Sequence, residues 1–275
     1  MSLSERMHAG SGDAPVAADR VAGPTSARIE EARDRIPDRL QDRLIVALDV
    51  ATTPAALDLV NRLEGRCRWF KVGMELFTAA GPAVVEPLVA RGFSVFLDLK
   101  FHDIPNTVAG AVRSAAALGV RMMTVHAGGG PVMLEAAQNA LAGMANPPQL
   151  LAVTVLTSMD KDQTSAVGLG RTPAEQVELL ARMGLAAGVR GFVCSPQEVT
   201  ALRALTGPEG VLVIPGIRPA GAQTQNQAGD QKRIATPADA LRSGASYLVV
   251  GRPITQAADP AAAAEAILAE MDEAL

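Results

Sequence analysis

The chain has 275 residues, of which 48% are hydrophobic, and a formal net charge of −4. This length suits a single α/β barrel with a sizeable core. The absence of a Lys/Arg block and the aromatic content of 3% argue against a nucleic-acid partner. No apolar run reaches the length of a membrane span and the first residues lack a signal-type apolar segment, so we expect a cytoplasmic protein without a membrane partner.

The beginning of the chain differs in pattern from the rest. Residues 1–24 are rich in Ala, Gly, Ser and Pro and have no periodicity, which predicts a flexible extension. Residues 26–40 could form a short charged helix that Pro37 interrupts. We therefore expect an N-terminal extension over 1–40 and one barrel domain over 41–275.

Beyond this extension, short apolar segments alternate with segments of helical pattern. The predicted strands cover 43–49, 68–73, 93–100, 122–127, 150–157, 191–195, 211–216 and 247–251. The predicted helices cover 54–64, 75–91, 105–118, 131–143, 173–187, 197–205, 236–243 and 260–274. Continuous apolarity within the strands is typical of a parallel sheet that is buried on both faces. Eight strand–helix repeats predict a single-domain (β/α)8 TIM barrel, and a doubly wound sheet is the alternative.

Polar residues stand at the ends of the predicted strands. Asp49 ends the first strand, Lys71 stands at the end of the second, and the third ends with Asp98 and Lys100. The later strands end at His126, Thr157, Ser195, Gly251 and Arg252. In a barrel these ends form one face, and that face carries the active site. The sequence therefore predicts a charged mouth rather than charges isolated in a core.

Lys100 lies between two carboxylates in the stretch FLDLKFHDIPNT, at 96–107. Asp98 points the same way as Lys100 if both lie on a strand, and Asp103 follows them. Nearby negative charge keeps a lysine protonated, so Lys100 is a poor Schiff-base nucleophile and a good proton donor to a carbanion. The alternatives are a plain ion pair at the rim for Asp98 and Lys100, and a helix cap for Asp103. Two further charges of alternating sign, Asp49 and Lys71, stand at the ends of neighbouring strands. They favour a catalytic network over these alternatives.

A phosphate site is also predicted, after the last strand. Gly251 allows close approach of the backbone and Arg252 supplies a forked cation, in the place where barrels usually bind phosphate. The loop 215–233 is long, polar and Gly-rich, which suits a mobile lid. A solvated insertion is the alternative, and it is the favoured interpretation for the segment AQTQNQ at 222–227. The glycines 128–130 are interpreted as a tight turn, with phosphate contact as the alternative.

The cysteines and histidines have simpler interpretations. Cys67 and Cys194 lie in apolar contexts and are expected to be small buried hydrophobic residues. No Cys/His cluster has the spacing of metal ligands. His102 and His126 have no evident partner in the sequence and are expected to be structural.

Taken together, these motifs resemble the bacterial type of orotidine 5′-phosphate decarboxylase. The string FLDLKFHDIPNT is the most specific part of the likeness. Other segments fit in the same order: VALD (46–49), KVG (71–73), VTVLTSMD (153–160), PGIRP (215–219), GDQKR (229–233) and VVGRPIT (249–255). The resemblance covers about residues 41–272. It leaves out the first 40 residues and a short expansion near 222–227.

The resemblance implies cofactor-independent decarboxylation of orotidine 5′-phosphate to UMP, without a metal, by a homodimer with shared active sites. Asp98, Lys100 and Asp103 would form the catalytic charge network, with Asp103 reaching across from the other subunit. Thr107 would travel with Asp103. Lys100 would deliver the proton to C6 of the pyrimidine.

The resemblance also implies a set of substrate contacts. Asp49 and Lys71 would contact the ribose hydroxyls, and Gly251 and Arg252 would hold the phosphate. The remaining implied contacts are Thr157 or Ser158 near the base, Arg218 from the lid, and Gln231, which would bridge phosphate and base.

Two other functions remain open at this stage. A magnesium-dependent sugar-phosphate decarboxylase of the same superfamily can share the Asp-x-Lys-x-x-Asp string. The residues 104–107 after that string, together with the Gln231 loop, favour the orotidylate enzyme. A non-catalytic barrel that serves as a binding module is the second alternative. The complete set of charges in the network argues against it.

Overall fold

The computed structural model describes residues 39–220 and 233–274. Eight parallel strands follow one another around a closed barrel, and the last pairs with the first. The strands are β1 Leu44–Ala47, β2 Trp69–Gly73, β3 Ser94–Phe101, β4 Met122–His126, β5 Gln149–Val153, β6 Gly191–Val193, β7 Val211–Ile214 and β8 Tyr247–Val250. The predicted (β/α)8 barrel is therefore confirmed, and the alternative prediction of a doubly wound sheet is wrong.

Helices connect the strands on the outside of the barrel. They are α1 Thr53–Arg62, α2 Met74–Ala80, α3 Glu86–Ala90, α4 Pro105–Ala117, α5 Pro131–Asn139, α6 Lys161–Ala166, α7 Pro173–Ala186, α8 Val199–Thr206, α9 Pro237–Arg242, α10 Arg252–Thr255 and α11 Pro260–Asp272. Proline stands in the first turn of most of them, where its missing N–H has no partner to lose.

The helices differ from the sequence prediction in three places. The predicted helix 75–91 is two helices, α2 and α3. It is interrupted at Gly81, whose φ of 66° is left-handed, and at Pro82. The short helix α6 was not predicted; Asp160 begins it with a capping box that includes Gln163. The short helix α10 was also missed, because its first residues were interpreted only as a phosphate loop.

Side chains fill the inside of the barrel. Trp69 and Tyr247 pack edge to face there, with ring centroids 5.4 Å apart. The buried inward-facing cluster consists of Ile45, Ala47, Trp69, Phe96, Met122, Leu151, Val211, Val213, Tyr247 and Val249. The barrel is therefore a packed core, and its polar cavity lies above this layer of side chains.

A larger apolar cluster joins the barrel wall to the helices. Helix α1, for example, buries Ala56, Leu59 and Val60, the spacing of one helix face. The predicted burial of Cys67 and Cys194 is confirmed, and both are free thiols. Burial raises the pKa of Cys67 to about 12, against a smaller opposing effect of Arg66. Burial likewise raises the pKa of Cys194, so neither cysteine is an activated nucleophile.

Two of the predicted segments lie outside the described residues. They are most of the N-terminal extension, at 1–38, and the central part of the lid, at 221–232, which contains the 222–227 expansion. The extension, its short helix and the lid stay predictions. Among the helices within 39–220 and 233–274, none is long and apolar enough to cross a membrane.

Candidate active site

A cavity of about 460 Å³ opens at the carboxyl ends of the strands. That volume is in the range of small-molecule sites. Eight residues predicted for the site line it: Asp49, Lys71, Asp98, Lys100, Thr157, Arg218, Gly251 and Arg252. The barrel thus brings together residues that are up to about 200 positions apart in the chain. The rest of the lining is mostly apolar and includes Phe96, Val155, Leu156, Pro215 and Val249.

Four charges of alternating sign run from β1 to β3 in this cavity. Lys71 Nζ lies 3.0 Å from Asp49 Oδ1 and 3.7 Å from Asp98 Oδ2. Lys100 Nζ lies 2.8 Å from Asp98 Oδ1. The side chain of Asp98 is 14% exposed, whereas that of Asp49 is 56% exposed at the rim. The deepest carboxylate is therefore held between two ammonium groups.

The ionisation of Asp98 follows from this arrangement. Burial alone raises the pKa of the carboxyl group. The positive charges of Lys71 and Lys100, together with hydrogen bonds from Lys100 and Thr124, outweigh burial and lower the pKa of Asp98 below its usual value. Asp98 is consequently a carboxylate at neutral pH, and it keeps two cations close to the cavity.

Gly73 provides the space that Lys71 needs. A Cβ atom at Gly73 would lie 2.8 Å from Lys71 Nζ and 3.4 Å from Asp49 Oδ1. A side chain at this position would therefore displace the ammonium group from its carboxylate partners. The sequence contained this signal in the segment KVG, but its steric meaning becomes visible only when the Lys71 side chain is placed.

Two guanidinium groups meet on the β7–β8 side of the cavity. Arg252 is the exposed first residue of α10, directly after Gly251. Arg218 is 6% exposed, and its Nη1 donates a hydrogen bond of 2.8 Å to the carbonyl of Ile217. Burial, and secondarily the positive charge of Arg252, lower the pKa of Arg218. Two cations that repel each other in this way form a favourable place for an anion such as phosphate.

Asp103 and Thr107 stand outside the cavity. Both are exposed, and Asp103 Oδ1 accepts a hydrogen bond of 2.6 Å from the N–H of Ile104. Within the part of the chain that the structure describes, Asp103 makes no ion pair with Lys100. The helix-cap interpretation is not supported either, since Ile104 is the N-cap of α4 and no side chain caps that end. A single chain therefore leaves the carboxylate of Asp103 facing outward.

The other predicted binding residues have mixed positions. Thr157 lines the cavity, and the neighbouring Ser158 is half-buried but is not part of the lining. Gln231 lies outside the described residues. Its predicted contacts with phosphate and base stay a prediction.

Ser195 has a structural environment, although it stands at the predicted mouth. It is fully buried, and its N–H and Oγ both donate hydrogen bonds to Glu198 Oε2. The other oxygen of Glu198 forms an ion pair with Arg233, which also donates to the carbonyl of Leu156 at 3.2 Å. The motif GDQKR therefore ends in a residue that is anchored to the barrel, a role the sequence analysis missed.

The histidines and glycines near β4 form a compact turn. The rings of His102 and His126 stack, with centroids 5.2 Å apart and planes inclined by 10°. The Gly128 N–H donates a hydrogen bond of 3.1 Å to His126 Nδ1, and residues 127–129 form a 3₁₀ turn. Neither histidine nor the glycine run lines the cavity. This supports the structural interpretation of both features.

The described residues also bear on metal binding. Within 39–220 and 233–274, no group of three or more His, Cys, Asp or Glu side chains is arranged to hold a metal ion. The cavity instead pairs its carboxylates with lysines.

A closed barrel with a charged cavity at its carboxyl face is the arrangement of the (β/α)8-barrel enzymes. Within that class, the chain belongs to the orotidine 5′-phosphate decarboxylase / HUMPS family, whose family model matches residues 42–267. Curated relatives named orotidine 5′-phosphate decarboxylase include one from Moorella thermoacetica, 53% identical over 84% of this chain and 93% of the relative. Another, from Halorhodospira halophila, is 55% identical over 83% of this chain and 95% of the relative.

A solved structure supports the same family. The crystal structure of orotidine 5′-phosphate decarboxylase from Lactobacillus acidophilus is 40% identical and has a TM-score of 0.72. The match covers 84% of this chain and 99% of that one. The resemblance that the sequence motifs indicated is therefore confirmed.

Proposed function

We propose that the chain is a carboxy-lyase that converts orotidine 5′-phosphate to UMP and carbon dioxide, the last step of pyrimidine nucleotide synthesis. The observation that carries this proposal is the alternating row Asp49, Lys71, Asp98 and Lys100 beside the paired guanidiniums of the cavity. The relatives at 51–55% identity are named for the same activity. The family model begins at residue 42, which supports a catalytic domain over 41–275 with an extension outside it.

The proposed binding mode follows the charges. Arg252 and Arg218 bind the phosphate with Gly251, and Gln231 joins them from the lid. Asp49 and Lys71 contact the ribose hydroxyls. The remaining proposed contacts to the base are Thr157 and Ser158. This orientation directs the substrate carboxylate toward Asp98 and the C6 atom toward Lys100.

The reaction breaks the bond between C6 and the carboxyl carbon. Its electron pair stays on C6 in the plane of the ring, where delocalisation into the ring does not help. Lys100 supplies a fixed positive charge to this carbanion and then transfers a proton from Nζ to C6. Water returns a proton to the neutral amine afterwards. Enzymes lower such barriers by roughly 8–23 kcal/mol, and here the charges of the protein provide the stabilisation, so the proposal includes no cofactor.

Asp98 has a second effect in this proposal. Its carboxylate stays ionised and only 14% exposed, close to the position proposed for the substrate carboxylate. Repulsion between the two destabilises the bound substrate and is relieved when carbon dioxide leaves. The same carboxylate holds Lys71 and Lys100 near the reacting atoms.

We further propose a homodimer in which Asp103 and Thr107 complete the site of the second subunit. Three large apolar side chains are exposed at neighbouring strand–helix junctions after β2, β3 and β4: Met74 at 57%, Ile104 at 68% and Val132 at 64%. The proposed contact would cover these three side chains, and contiguous exposed apolar groups are typical of contact surfaces. Because Ile104 adjoins Asp103, a two-fold contact there would carry each Asp103 toward the opposite cavity.

The proposed substrate also suggests a compartment. A nucleotide carries a phosphate that does not cross a lipid bilayer unaided, so we propose that the protein works in the cytoplasm, where such nucleotides are made.

A direct assay with orotidine 5′-phosphate tests the proposed activity. The absorbance of the base should change as decarboxylation proceeds, and UMP and carbon dioxide should form in equal amounts. Lys100→Ala should lower kcat at least a hundredfold, about 2.7 kcal/mol of barrier, while the far-UV circular dichroism stays that of the wild type. A Lys100→Ala variant that kept more than a tenth of the rate would exclude the proton-donor role.

A chelator separates the proposal from the magnesium-dependent alternative. Turnover of orotidine 5′-phosphate should be unchanged by excess EDTA, and a sugar-phosphate acid should not be consumed with or without Mg²⁺. Loss of activity on chelation, restored by Mg²⁺, would favour the alternative enzyme. Binding of UMP without any turnover would favour a binding module.

A further inference from the structure

Lys100 has a backbone conformation that is unusual for its residue type. Its φ is 51°, and it is the only non-glycine residue with positive φ in the described parts of the chain, 39–220 and 233–274. Side chains other than glycine rarely adopt this left-handed region, and where they do the surrounding structure must hold them there. The residue proposed to donate the proton is therefore held in a conformation that it would not choose in isolation.

The cause is an irregularity between β3 and β4. Leu97 pairs with Met123, and the next paired residues are Phe101 and Val125. Residues 98–100 of β3 therefore stand opposite a single residue of β4, Thr124. Such a bulge leaves the extra residues without regular strand partners and redirects their side chains.

Thr124 occupies the centre of this bulge and holds both of its charged residues. Its hydroxyl is fully buried and accepts a hydrogen bond of 2.8 Å from the N–H of Lys100. The same hydroxyl donates a hydrogen bond of 3.0 Å to Asp98 Oδ1. That carboxylate oxygen also accepts the 2.8 Å hydrogen bond from Lys100 Nζ. One hydroxyl thus links the backbone of Lys100 to the carboxylate that orients its ammonium group.

We propose that Thr124 is a positioning residue for the decarboxylation, because its hydroxyl fixes the left-handed backbone of Lys100 and the orientation of Asp98. This inference rests on the proposed function. Without the hydroxyl, the Lys100 N–H has no acceptor inside the bulge and Asp98 loses one donor. The ammonium group then leaves the position from which it can reach C6. The proposed phosphate and ribose contacts lie on other strands, so binding is expected to change little.

A pair of substitutions separates the hydroxyl from the volume of the side chain. Thr124→Val removes the hydroxyl and keeps the shape, and we expect kcat for orotidine 5′-phosphate to fall at least tenfold, about 1.4 kcal/mol, with KM changed less than about threefold. Thr124→Ser retains the hydroxyl and should keep kcat within about threefold of the wild type. A general loss of packing would not produce this split between kcat and KM.

Thr154 offers a matched control one strand away. It is also buried, and its hydroxyl donates a hydrogen bond of 3.2 Å to the carbonyl of Val193, outside the charge network. Thr154→Val makes the same chemical change and should leave kcat and KM close to the wild-type values. Equal losses in Thr154→Val and Thr124→Val would show that any buried threonine matters and would overturn the inference.

Turnover should be expressed per folded site, counted by calorimetric binding of UMP, so that partial misfolding does not imitate a catalytic defect. If Thr124→Val does not fold, Thr124→Ala is measured in the same way and is expected to show the same fall in kcat. A folded variant without the hydroxyl that turns over at the wild-type rate would overturn the inference. Inactivity of the wild type itself would instead overturn the proposed function.

Discussion

Glu198 and Arg233 form a buried ion pair that anchors the chain directly after residues 221–232. Their side chains are only 7% and 10% exposed. Glu198 Oε1 binds the guanidinium, and Glu198 Oε2 accepts hydrogen bonds from the N–H and Oγ of Ser195. Each oxygen of the Glu198 carboxylate therefore has its own hydrogen-bond partners. Since Arg233 stands two residues after Gln231, this anchor also fixes the point at which the proposed lid, 215–233, ends.

Replacing Glu198 should test the strength of this anchor. Glu198→Gln leaves one acceptor oxygen where two are used, so either Arg233 loses its charged partner, keeping only the Leu156 carbonyl, or Ser195 loses its acceptor. Breaking one side of a buried pair typically costs about 3–5 kcal/mol, and we expect a fall of roughly 3 kcal/mol in the free energy of unfolding, measured with urea.

An exposed pair supplies the control for this measurement. Glu178 and Arg182 form an i,i+4 pair on α7, with side chains 54% and 61% exposed. Glu178→Gln makes the same chemical change and should alter the free energy of unfolding by only ~0.5 kcal/mol or less. Similar small effects for Glu178→Gln and Glu198→Gln would contradict the anchoring role of Glu198.

His126 should make the stability of the fold depend on pH. Burial, followed by the charges of His102 and Lys100, lowers its pKa in the folded protein. In the unfolded chain a histidine titrates near pH 6.5. As the pH falls below about 6.5, His126 binds a proton in the unfolded chain but stays neutral in the folded protein. The free energy of unfolding should therefore decrease.

His126→Gln removes this titration while keeping an acceptor for the Gly128 N–H. Urea unfolding between pH 8 and pH 5 should show a shallower loss of stability in the variant than in the wild type. Above about pH 7.5 the two proteins should have parallel pH dependence, because histidine is neutral there in both states. Equal slopes below pH 6.5 would show that His126 is not held neutral.

Much of the fold was predictable from the sequence, because the strands are mainly apolar runs between turn residues, with charged residues placed toward the carboxyl ends of β2 and β3. The helices were less certain where local signals conflicted. The segment 75–91 has helical periodicity throughout, and yet Gly81 and Pro82 divide it. The short helices α6 and α10 have too few residues to show a period. Only the capping box of Asp160 and Gln163 could have indicated α6, and only the proline in its first turn could have indicated α10.

In the site, the sequence predicted which charged residues meet better than it predicted the backbone geometry that holds them. Asp98 and Lys100 do meet, as expected from two residues on the same side of a strand, but the backbone of Lys100 is left-handed and bulged rather than regular. Thr124 was missed because a threonine inside an apolar strand carries no sign of what stands opposite. Its role depends on the register between β3 and β4, which a single sequence does not specify.

Arg252 should couple phosphate binding to the chemistry. Arg252→Ala removes a charge-assisted contact, and such contacts contribute about 1.5–3 kcal/mol, so KM should rise roughly tenfold to a hundredfold. Arg242→Ala is the matched control, since Arg242 pairs with Asp239 on the exposed surface of α9 and should leave KM unchanged. Equal KM values for Arg252→Ala and the wild type would remove Arg252 from the phosphate site.

A substrate without phosphate tests the same coupling from the other side. Wild-type turnover of orotidine should be slow and should increase when phosphite dianion is added, because in the proposed mechanism binding at the anion site provides the energy that closes the predicted lid. The increase should be smaller in Arg252→Ala than in the wild type or Arg242→Ala. If phosphite does not change the rate of orotidine turnover by the wild type, binding at the anion site and the chemical step are independent.

The last prediction concerns the shared active site. Asp103 is exposed and makes no ion pair with Lys100 of its own chain, although only two residues separate them. If it completes the site of the second subunit, Lys100→Ala and Asp103→Ala should each be nearly inactive as homodimers. In a hybrid dimer, one cavity collects both substitutions and the other collects neither. Random mixing makes half of the dimers hybrids with one intact site of two, so about a quarter of the wild-type activity should return.

Subunit exchange must be verified independently of activity in this experiment. A tag on the Lys100→Ala chain allows the hybrid to be isolated, and its activity should be about half that of the wild-type dimer. Asp58→Ala, on the exposed face of α1, serves as the control partner. Mixed with Lys100→Ala, it should give hybrids with one active site, while Asp58→Ala homodimers keep full activity and Lys100→Ala homodimers stay nearly inactive. Tagged hybrids of Lys100→Ala and Asp103→Ala that form but stay inactive would place Asp103 in the site of its own chain, and the shared-site arrangement would be wrong.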